Sequence, residues 1–348
     1  MIKDSLIKIY ERLYLYFLSK KKEKALREQK VLPSAVISVG NLTVGGTGKT
    51  PMVIEIAKEA RKRGYALSIL SRGYKGRLSG PVIVSCRTGL LVEAIDAGDE
   101  PVLMAEKLSD IPIIVGRDRY EAGIYAMQCF KEKPDLFILD DGYQHWRLKR
   151  DLEILLISGI NPFGNRRLFP LGPLREPIEE IKRADIIVIT MADKCKRLEE
   201  LINELRIYAP FQPIYLARHV LKEIIKYRVD ENGYPYSREV KGLDELREKR
   251  FLAFAGIGNP DSFRLTLEEA GLNVIDFVTF RDHHNYEVCE LKDLSDRAQK
   301  SGASLLTTEK DLVRTKGKLP PGEIYALNIE ISCEDAFYDE VFRRIKLL

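Results

Sequence analysis

The strongest constraint in this sequence is short. The apolar run Ala35-Val36-Ile37-Ser38-Val39-Gly40 reads as a strand. Gly45-Gly46-Thr47-Gly48-Lys49-Thr50 follows it closely, and a helical pattern then extends to about Arg63, stopped by Gly64. A glycine-rich turn between strand and helix points backbone N–H groups and a helix N-terminus at an anion, and a lysine at its end neutralises phosphate oxygens. Gly45, Gly46, Thr47, Gly48, Lys49 and Thr50 are therefore expected to hold a nucleotide, with the Thr50 hydroxyl offered to Mg2+. The spacing G-x-x-x-x-G-K-[ST] would place its first glycine at Thr43, so the pattern is intact in its core and broken at its start. Such a loop needs an acidic partner for the metal. Leu136-Phe137-Ile138-Leu139-Asp140-Asp141, an apolar strand ending in two carboxylates, supplies it, since Mg2+ takes oxygen ligands and keeps part of its water shell.

Around this core, short β-rich runs alternate with helical patterns, as in βαβ units on a mostly parallel sheet. YALSILS, PVIVSC, IPIIVG, LFILDD, LEILLIS and DIIVITM read as strands. Several are apolar throughout, as expected when both faces are covered. The expectation is an α/β fold, a P-loop NTPase-like αβα sandwich over residues 31–219 closed by IYLARH (214–219). A charged stretch over 220–250, with Asn232-Gly233 as a tight-turn signal, reads as a two-stranded linker. A smaller α/β unit is expected over 251–348. The chain's 348 residues, 45% hydrophobic and 31% charged, suit two folded domains. Five scattered cysteines without a C-x-x-C pair argue against disulfides or zinc and fit a reducing cytosol.

Further segments appear in a telling order: Val39-Gly40-Asn41, Ser71-Arg72-Gly73-Tyr74, Gly98-Asp99-Glu100-Pro101, Asp118-Arg119-Tyr120 and Asp140-Asp141-Gly142-Tyr143-Gln144-His145. Leu174-Arg175-Glu176-Pro177, Asp282-His283 and Thr307-Thr308-Glu309-Lys310-Asp311 come after them. In content and order these resemble the tetraacyldisaccharide 4'-kinase (lipid A kinase) family over most of the chain. Arg281 stands where a proline commonly precedes the Asp-His pair. The resemblance implies transfer of the ATP γ-phosphate to the 4'-hydroxyl of a tetraacylated glucosamine disaccharide 1-phosphate, a lipid A precursor, at the cytoplasmic face of the inner membrane. It also implies two αβα domains joined by a two-stranded linker.

The resemblance makes Asp99 the catalytic base; by itself the Gly-Asp-Glu-Pro string reads as a helix start capped by Asp99. His283 would orient Asp99 from the second domain, so that the site forms where the domains meet. His145 either holds metal or substrate or braces the Asp140-Asp141 turn. Glu176 and Arg175 resemble residues near nucleotide or metal, and Glu176 joins Thr50, Asp140 and Asp141 as an expected metal ligand. Arg72 and Arg119 suit phosphate, either on ATP or at the 1-position of the lipid.

The opening segment, residues 1–30, carries nine basic and four acidic residues, while the whole chain has a net charge of only +4. Ile2, Leu6, Ile7, Tyr10, Leu13, Tyr14, Phe17 and Leu18 recur at helical spacing, with Lys3, Lys8, Arg12 and Lys20-Lys21-Lys22 around and beyond them. This is the profile of a helix lying at an anionic membrane surface, not of a span or a signal peptide. A terminal helix packed on the kinase domain is the alternative. Peripheral membrane attachment, no nucleic-acid partner and no protein partner are expected. Three rival functions remain: a membrane-bound positioning ATPase, disfavoured by Val44 where such proteins carry a lysine; a GTPase reading Thr190-Met191-Ala192-Asp193, disfavoured by Met191; and a kinase of a soluble metabolite.

Overall fold

The computed structural model describes residues 2–78, 80–86 and 89–346. The chain opens with α1 (Ile2–Arg27), and β1 (Ala35–Asn41) then hands over to α2 (Lys49–Lys62). Next come β2 (Leu67–Ser71), β3 (Val82–Cys86), β4 (Gly89–Leu90), α3 (Ala94–Ala97), α4 (Asp99–Lys107), β5 (Ile113–Val115) and α5 (Arg119–Cys129). β6 (Leu136–Asp140), β7 (Leu152–Ser158), β8 (Ile186–Thr190) and α6 (Leu198–Tyr208) follow. A long β9 (Ile214–Val229) turns into β10 (Pro235–Lys241) and α7 (Leu243–Leu246). The last third holds β11 (Arg250–Ala255), α8 (Pro260–Glu269), β12 (Asn273–Thr279), α9 (Val288–Lys300), β13 (Ser304–Thr308), α10 (Glu309–Thr315), β14 (Gly322–Cys333) and α11 (Asp335–Lys346).

One continuous sheet runs β12-β11-β13-β14-β9-β8-β7-β1-β6-β2-β5-β3-β4, with β10 paired to β9. β1 lies between β6 and β7, parallel to both. β2, β6, β7 and β8 are buried along their whole length, because helices cover both faces. On β7, Ile154 and Leu156 join the core with α2 and α11, while the alternate Leu155 and Ile157 join the core with α6. This two-sided burial is why these strands read as unbroken apolar runs. The carboxyl ends of β1, β6 and β2 place Asn41, Asp140 and Ser71 at one edge, where ligands bind in open α/β sheets.

Two expected boundaries differ. No break separates 219 from 220, since β9 runs as one strand from Ile214 to Val229, pairing in parallel with β8 and antiparallel with β14. It contains no glycine, proline or other turn residue to interrupt it. The polar composition there reflects outward-facing alternate residues on an exposed stretch that pairs antiparallel with β10. Nor does all of 251–348 belong to the second unit. Phe337, Val341, Phe342 and Ile345 of α11 are buried in the same core as Met52 and Ile56 of α2. The chain therefore crosses between the units along both β9 and β14.

Candidate active site

The glycine loop is pinned from both flanking strands. Asn41 Nδ2 at the end of β1 donates to Thr47 Oγ1 at 2.9 Å, and Thr190 Oγ1 at the end of β8 donates to the Thr47 carbonyl at 3.0 Å. Lys49 Nζ donates to Asn41 Oδ1 at 3.3 Å and lies 3.7 Å from Asp141 Oδ1. The lysine thus stands ready between a neutral amide and a carboxylate. Thr50 is buried in the first turn of α2.

The two carboxylates at the end of β6 are in different states. Asp140 is buried, and its Oδ2 accepts from Ser71 Oγ at 3.0 Å, but its Oδ1 is buried with no hydrogen-bond partner. Burial, with Glu100 and Asp141 nearby, pushes the Asp140 carboxyl up to about 7. An orphaned carboxylate oxygen beside the Thr50 turn fits a hard cation such as Mg2+, which needs few protein ligands when phosphate and water supply the rest. Among the described residues no cluster of three or more His, Cys, Asp or Glu side chains could hold a metal unaided. For Asp141, burial works upward but Lys49 and Arg175 outweigh it and hold the carboxyl at about 2. Arg175 Nη1 donates to both oxygens, at 2.8 and 2.9 Å. Asp141 has φ 52, a left-handed conformation that costs energy in a non-glycine residue.

Asp99 and His283 meet across the two units. Asp99 begins α4; the cap is Gly98, whose φ of 93 and whose approach to the Tyr74 carbonyl, 2.7 Å from where a Cβ would sit, leave room only for glycine. The Asp99 carboxylate is thereby turned toward the domain junction. His283 Nδ1 lies 3.0 Å from Oδ2 and 3.2 Å from Oδ1. Arg314 Nε is 3.1 Å from Oδ2, and Lys310 Nζ is 3.9 Å away. Burial works to raise the Asp99 pKa, but the His283 hydrogen bond and the two cations outweigh it, so the carboxyl lies below its ordinary range. His283 itself has φ 55, held by its N–H to the Gly256 carbonyl at 3.0 Å and by Lys75 Nζ donating to its carbonyl at 3.0 Å. Asp141 and His283, two of the five non-glycine residues with positive φ among the described residues, both line the cavity at the junction. His284 instead pairs with Glu290 at 2.9 Å and stacks on Phe280, a structural position.

The units are joined beside these residues by ion pairs between α4 and α10 or the residue that follows it: Lys107 with Glu309 at 2.5 Å, Lys310 with Glu100 at 2.8 Å, and Lys316 with Glu106. Gly258 is packed on the phosphate loop so closely that a Cβ would stand 2.7 Å from the Gly46 nitrogen and 3.0 Å from Asp282 Oδ2. Gly258→Ala is expected to hold the two units apart. Misplacing reacting groups by an ångström costs on the order of a hundredfold, so steady-state kinetics should show kcat/KM down by about that factor while the melting temperature stays nearly unchanged.

Three expectations change on contact with this geometry. Glu176 is buried, but its oxygens accept from Arg183 Nη2 at 2.8 and 2.9 Å and from Gln144 Nε2 at 2.8 Å. With both oxygens engaged, it offers an anchor for Gln144 and, through Gln144, for Arg175, not an open metal ligand. Asp141 is likewise occupied, by Arg175 and Lys49. His145 accepts from the Arg119 backbone N–H at 3.3 Å, and burial pulls its pKa down to about 3, so it is a neutral brace for the start of α5 and not a free substrate contact. Arg119 is buried with its Nε unpartnered, and burial lowers its pKa to about 10. Arg72 lines the cavity beside Tyr74. Asn41, Ser71, Gln144, Glu100, Lys310 and Arg314 had no role assigned from sequence. The readable signal was Thr308 capping α10, with Lys310 and Arg314 four apart on one face.

One cavity of about 620 Å3 is walled by the phosphate loop, Arg72, Glu100, Asp140, Asp141, His283 and Lys310, with Tyr14, Leu18 and Lys21 of α1 among its lining residues. Residues 5–346 match the profile of the tetraacyldisaccharide-1-P 4'-kinase family, LpxK. The chain belongs to that family. It is 42% identical over 294 residues to the tetraacyldisaccharide 4'-kinase of Pelobacter propionicus, covering 84% of this chain and 77% of the relative. To the tetraacyldisaccharide 4'-kinase of Aquifex aeolicus it is 36% identical over 337 residues, covering 96% of each. A crystal structure of Aquifex aeolicus LpxK in complex with ATP superposes with a TM-score of 0.74 and 34% identity, covering 99% of this chain and 100% of that one. Membership makes the chain a kinase and confirms the P-loop α/β architecture expected from sequence.

Proposed function

We propose that this kinase transfers the γ-phosphate of ATP to the 4'-hydroxyl of a tetraacylated glucosamine disaccharide 1-phosphate, a lipid A precursor, at the cytoplasmic surface of the bacterial inner membrane. The observation that carries the reading is the 3.0 Å contact between Asp99 and His283 across the domain junction, on the rim of the cavity that holds the phosphate loop. Lys49 neutralises charge on the transferring phosphate, and Arg119 and Arg72 receive phosphate oxygens. Asp140 and Thr50 would hold Mg2+, which would supply charge neutralisation at the phosphate oxygens of ATP. Asp99, ionised and steered by His283, accepts a hydrogen bond from the sugar hydroxyl and takes its proton as the new bond forms. A carboxylate with a lowered pKa is a weak base at equilibrium. Phosphoryl transfer has a loose transition state that asks chiefly for orientation and charge, so this is sufficient.

α1 supports a lipid substrate. Tyr14 OH donates to the Arg175 carbonyl at 3.0 Å, and Lys22 Nζ donates to Glu180 at 2.6 Å, which ties the helix to the kinase unit. Leu13 and Phe17 remain 52% and 66% exposed, beside Tyr16 and Ile9. The side chains of Ile2, Lys3, Leu6 and Lys8, part of the expected face and its charges, lie outside the described residues. Among the described residues no helix is long and apolar enough to cross a membrane. An exposed apolar face on a basic helix suits a bilayer surface. Replacing Leu13 and Phe17 together by Asp is expected to weaken sedimentation with anionic vesicles by about tenfold or more, with ATP binding retained. Equal partitioning of wild type and variant would overturn the attachment.

The reading is tested by incubating the chain with γ-labelled ATP, Mg2+ and detergent-dispersed tetraacyl disaccharide 1-phosphate and following the label by thin-layer chromatography. Label in the lipid supports it. ATP hydrolysis by a folded preparation with unlabelled lipid sinks it.

A further inference from the structure

We propose that the loop over residues 160–173, between β7 and β8, is a second bilayer contact that sinks Phe169 and Leu171 into the headgroup boundary of an anionic membrane. This rests on the reading that α1 lies on that membrane, and it adds an attachment point on the kinase unit itself. Phe169 is 50% exposed, and Leu171 and Ile160 are each 37% exposed. Exposed apolar side chains standing singly are ordinary, but a group of them beside another exposed apolar surface marks an interaction site. α1 is that surface. Tyr10 OH donates to the Phe169 carbonyl at 3.2 Å, and Ile9 and Leu13 are exposed on the same stretch of helix. The charge has the matching sign. Residues 160–173 contain Arg166 and Arg167 and no acidic residue, and they lie beside the net positive segment 1–30. Arg166 also pairs with Glu204 of α6 at 2.7 Å, so Arg167 is the loop's own contribution to attraction for anionic lipid.

A loop that enters the headgroup boundary loses water and needs its backbone groups paired from within. The tip of this one is paired. The Phe169 N–H donates to the Leu174 carbonyl at 2.8 Å, the Gly172 N–H to the Leu168 carbonyl at 3.0 Å, and the Leu174 N–H to the Arg167 carbonyl at 3.1 Å. Asn165 closes the turn, its Nδ2 donating to the Leu171 carbonyl at 2.9 Å and its Oδ1 accepting from the Arg167 N–H at 3.1 Å. Phe163 and Leu168 are buried in the core with Leu201 and Leu205 of α6 and root the tip in the fold. Phe169 and Leu171 thus project from a preformed turn, which keeps the ordering cost of binding low. The same segment leads straight to the reacting groups. The Val44 N–H donates to the Pro173 carbonyl at 2.7 Å, and the Arg175 N–H donates to the Leu42 carbonyl at 2.7 Å. A single helix on a surface leaves the protein free to roll about the helix axis. A second contact at Phe169 and Leu171 removes that freedom and fixes the height of the phosphate loop above the bilayer.

The test uses the full chain and vesicles of phosphatidylcholine and phosphatidylglycerol, without substrate. Phe169→Trp keeps a large apolar side chain at the tip, and the chain's one native tryptophan, Trp146, is buried and supplies the wild-type background. With vesicles, the added emission is expected to shift to the blue and to be quenched by lipids brominated near the top of the acyl chain. Replacing Phe169 and Leu171 together by Asp is expected to weaken vesicle sedimentation by about tenfold. Unshifted and unquenched emission in vesicles that do sediment the protein would overturn the inference. A shift that needs the tetraacyl disaccharide would also overturn it, making the tip a contact for the substrate's acyl chains. The α1 reading is scored separately through the Leu13 and Phe17 replacements. Binding lost there and unchanged in the Phe169→Asp, Leu171→Asp variant keeps α1 and removes the loop; the reverse pattern removes α1 and keeps the loop. A wild-type protein that ignores vesicles overturns both.

Discussion

Asp99→Asn lowers kcat by about a thousandfold, within the range that loss of a general base costs, while the dissociation constant for ATP stays close to wild type. The amide keeps the size of the carboxylate but cannot take a proton. It also leaves Arg314, 3.1 Å away, and Lys310, 3.9 Å away, facing a neutral group. Single-turnover kinetics with radiolabelled ATP give the rate, and calorimetric titration gives the affinity. His283→Ala should slow turnover less, because Arg314 still holds the carboxylate. The double variant should be little slower than Asp99→Asn alone, since residues acting as a unit are non-additive. Because the Asp99 pKa is lowered, the carboxylate stays ionised throughout the neutral range. Its ionised form is lost only on acidification below the ordinary carboxylate pKa of about 3.9. Any acid limb in the wild-type rate profile above pH 5 therefore belongs to another group. A near-wild-type rate in Asp99→Asn would remove Asp99 from the chemistry.

Lys49→Ala is the second large effect: kcat/KM for ATP falls by on the order of a thousandfold, as expected when a preorganised charge on a transferring phosphoryl group is removed. Lys49 is held by longer contacts than Arg175. It is 3.7 Å from Asp141 and shares Asn41 with Thr47, whereas Arg175 is fixed on Asp141 by two bonds to one carboxylate. When Lys49 is lost, Arg175 still neutralises Asp141, so the fold survives and the defect is in catalysis. The variant should melt within a few degrees of wild type, a shift that corresponds to roughly 1 kcal/mol or less. A large drop in melting temperature would instead make Lys49 a structural cation, and the kinetic loss would then say nothing about phosphate.

Local chemistry made part of this site readable in advance. The turn from β1 through Gly48 into α2 is a contiguous motif whose glycines and lysine declare their use, and Asp140 follows a run of residues that two-sided burial makes apolar. For Arg314 only the helix was readable, from the Thr308 cap and the one face it shares with Lys310; docking of α10 on α4 is what brings it to Asp99. Gly258 gave no sign either, because its requirement comes from the Gly46 backbone, far away in sequence. Glu176 shows the limit of local reading, because an acidic side chain beside Arg175 in a recognisable string does not reveal that Arg183 and Gln144 reach it.

The sequence alone determined the α/β class, the phosphate loop, the acidic strand end and the kinase family, since each depends on periodicity or on residues adjacent in the chain. Tertiary structure decided the rest: which carboxylate keeps an unpaired oxygen, that Asp99 faces His283 and Arg314, and that β9 and α11 tie the two units together. The physical reason is range. Backbone conformation and hydrophobic period are set within a turn or a strand, whereas burial, ion pairing and pKa depend on groups hundreds of residues apart that meet only when the sheet closes.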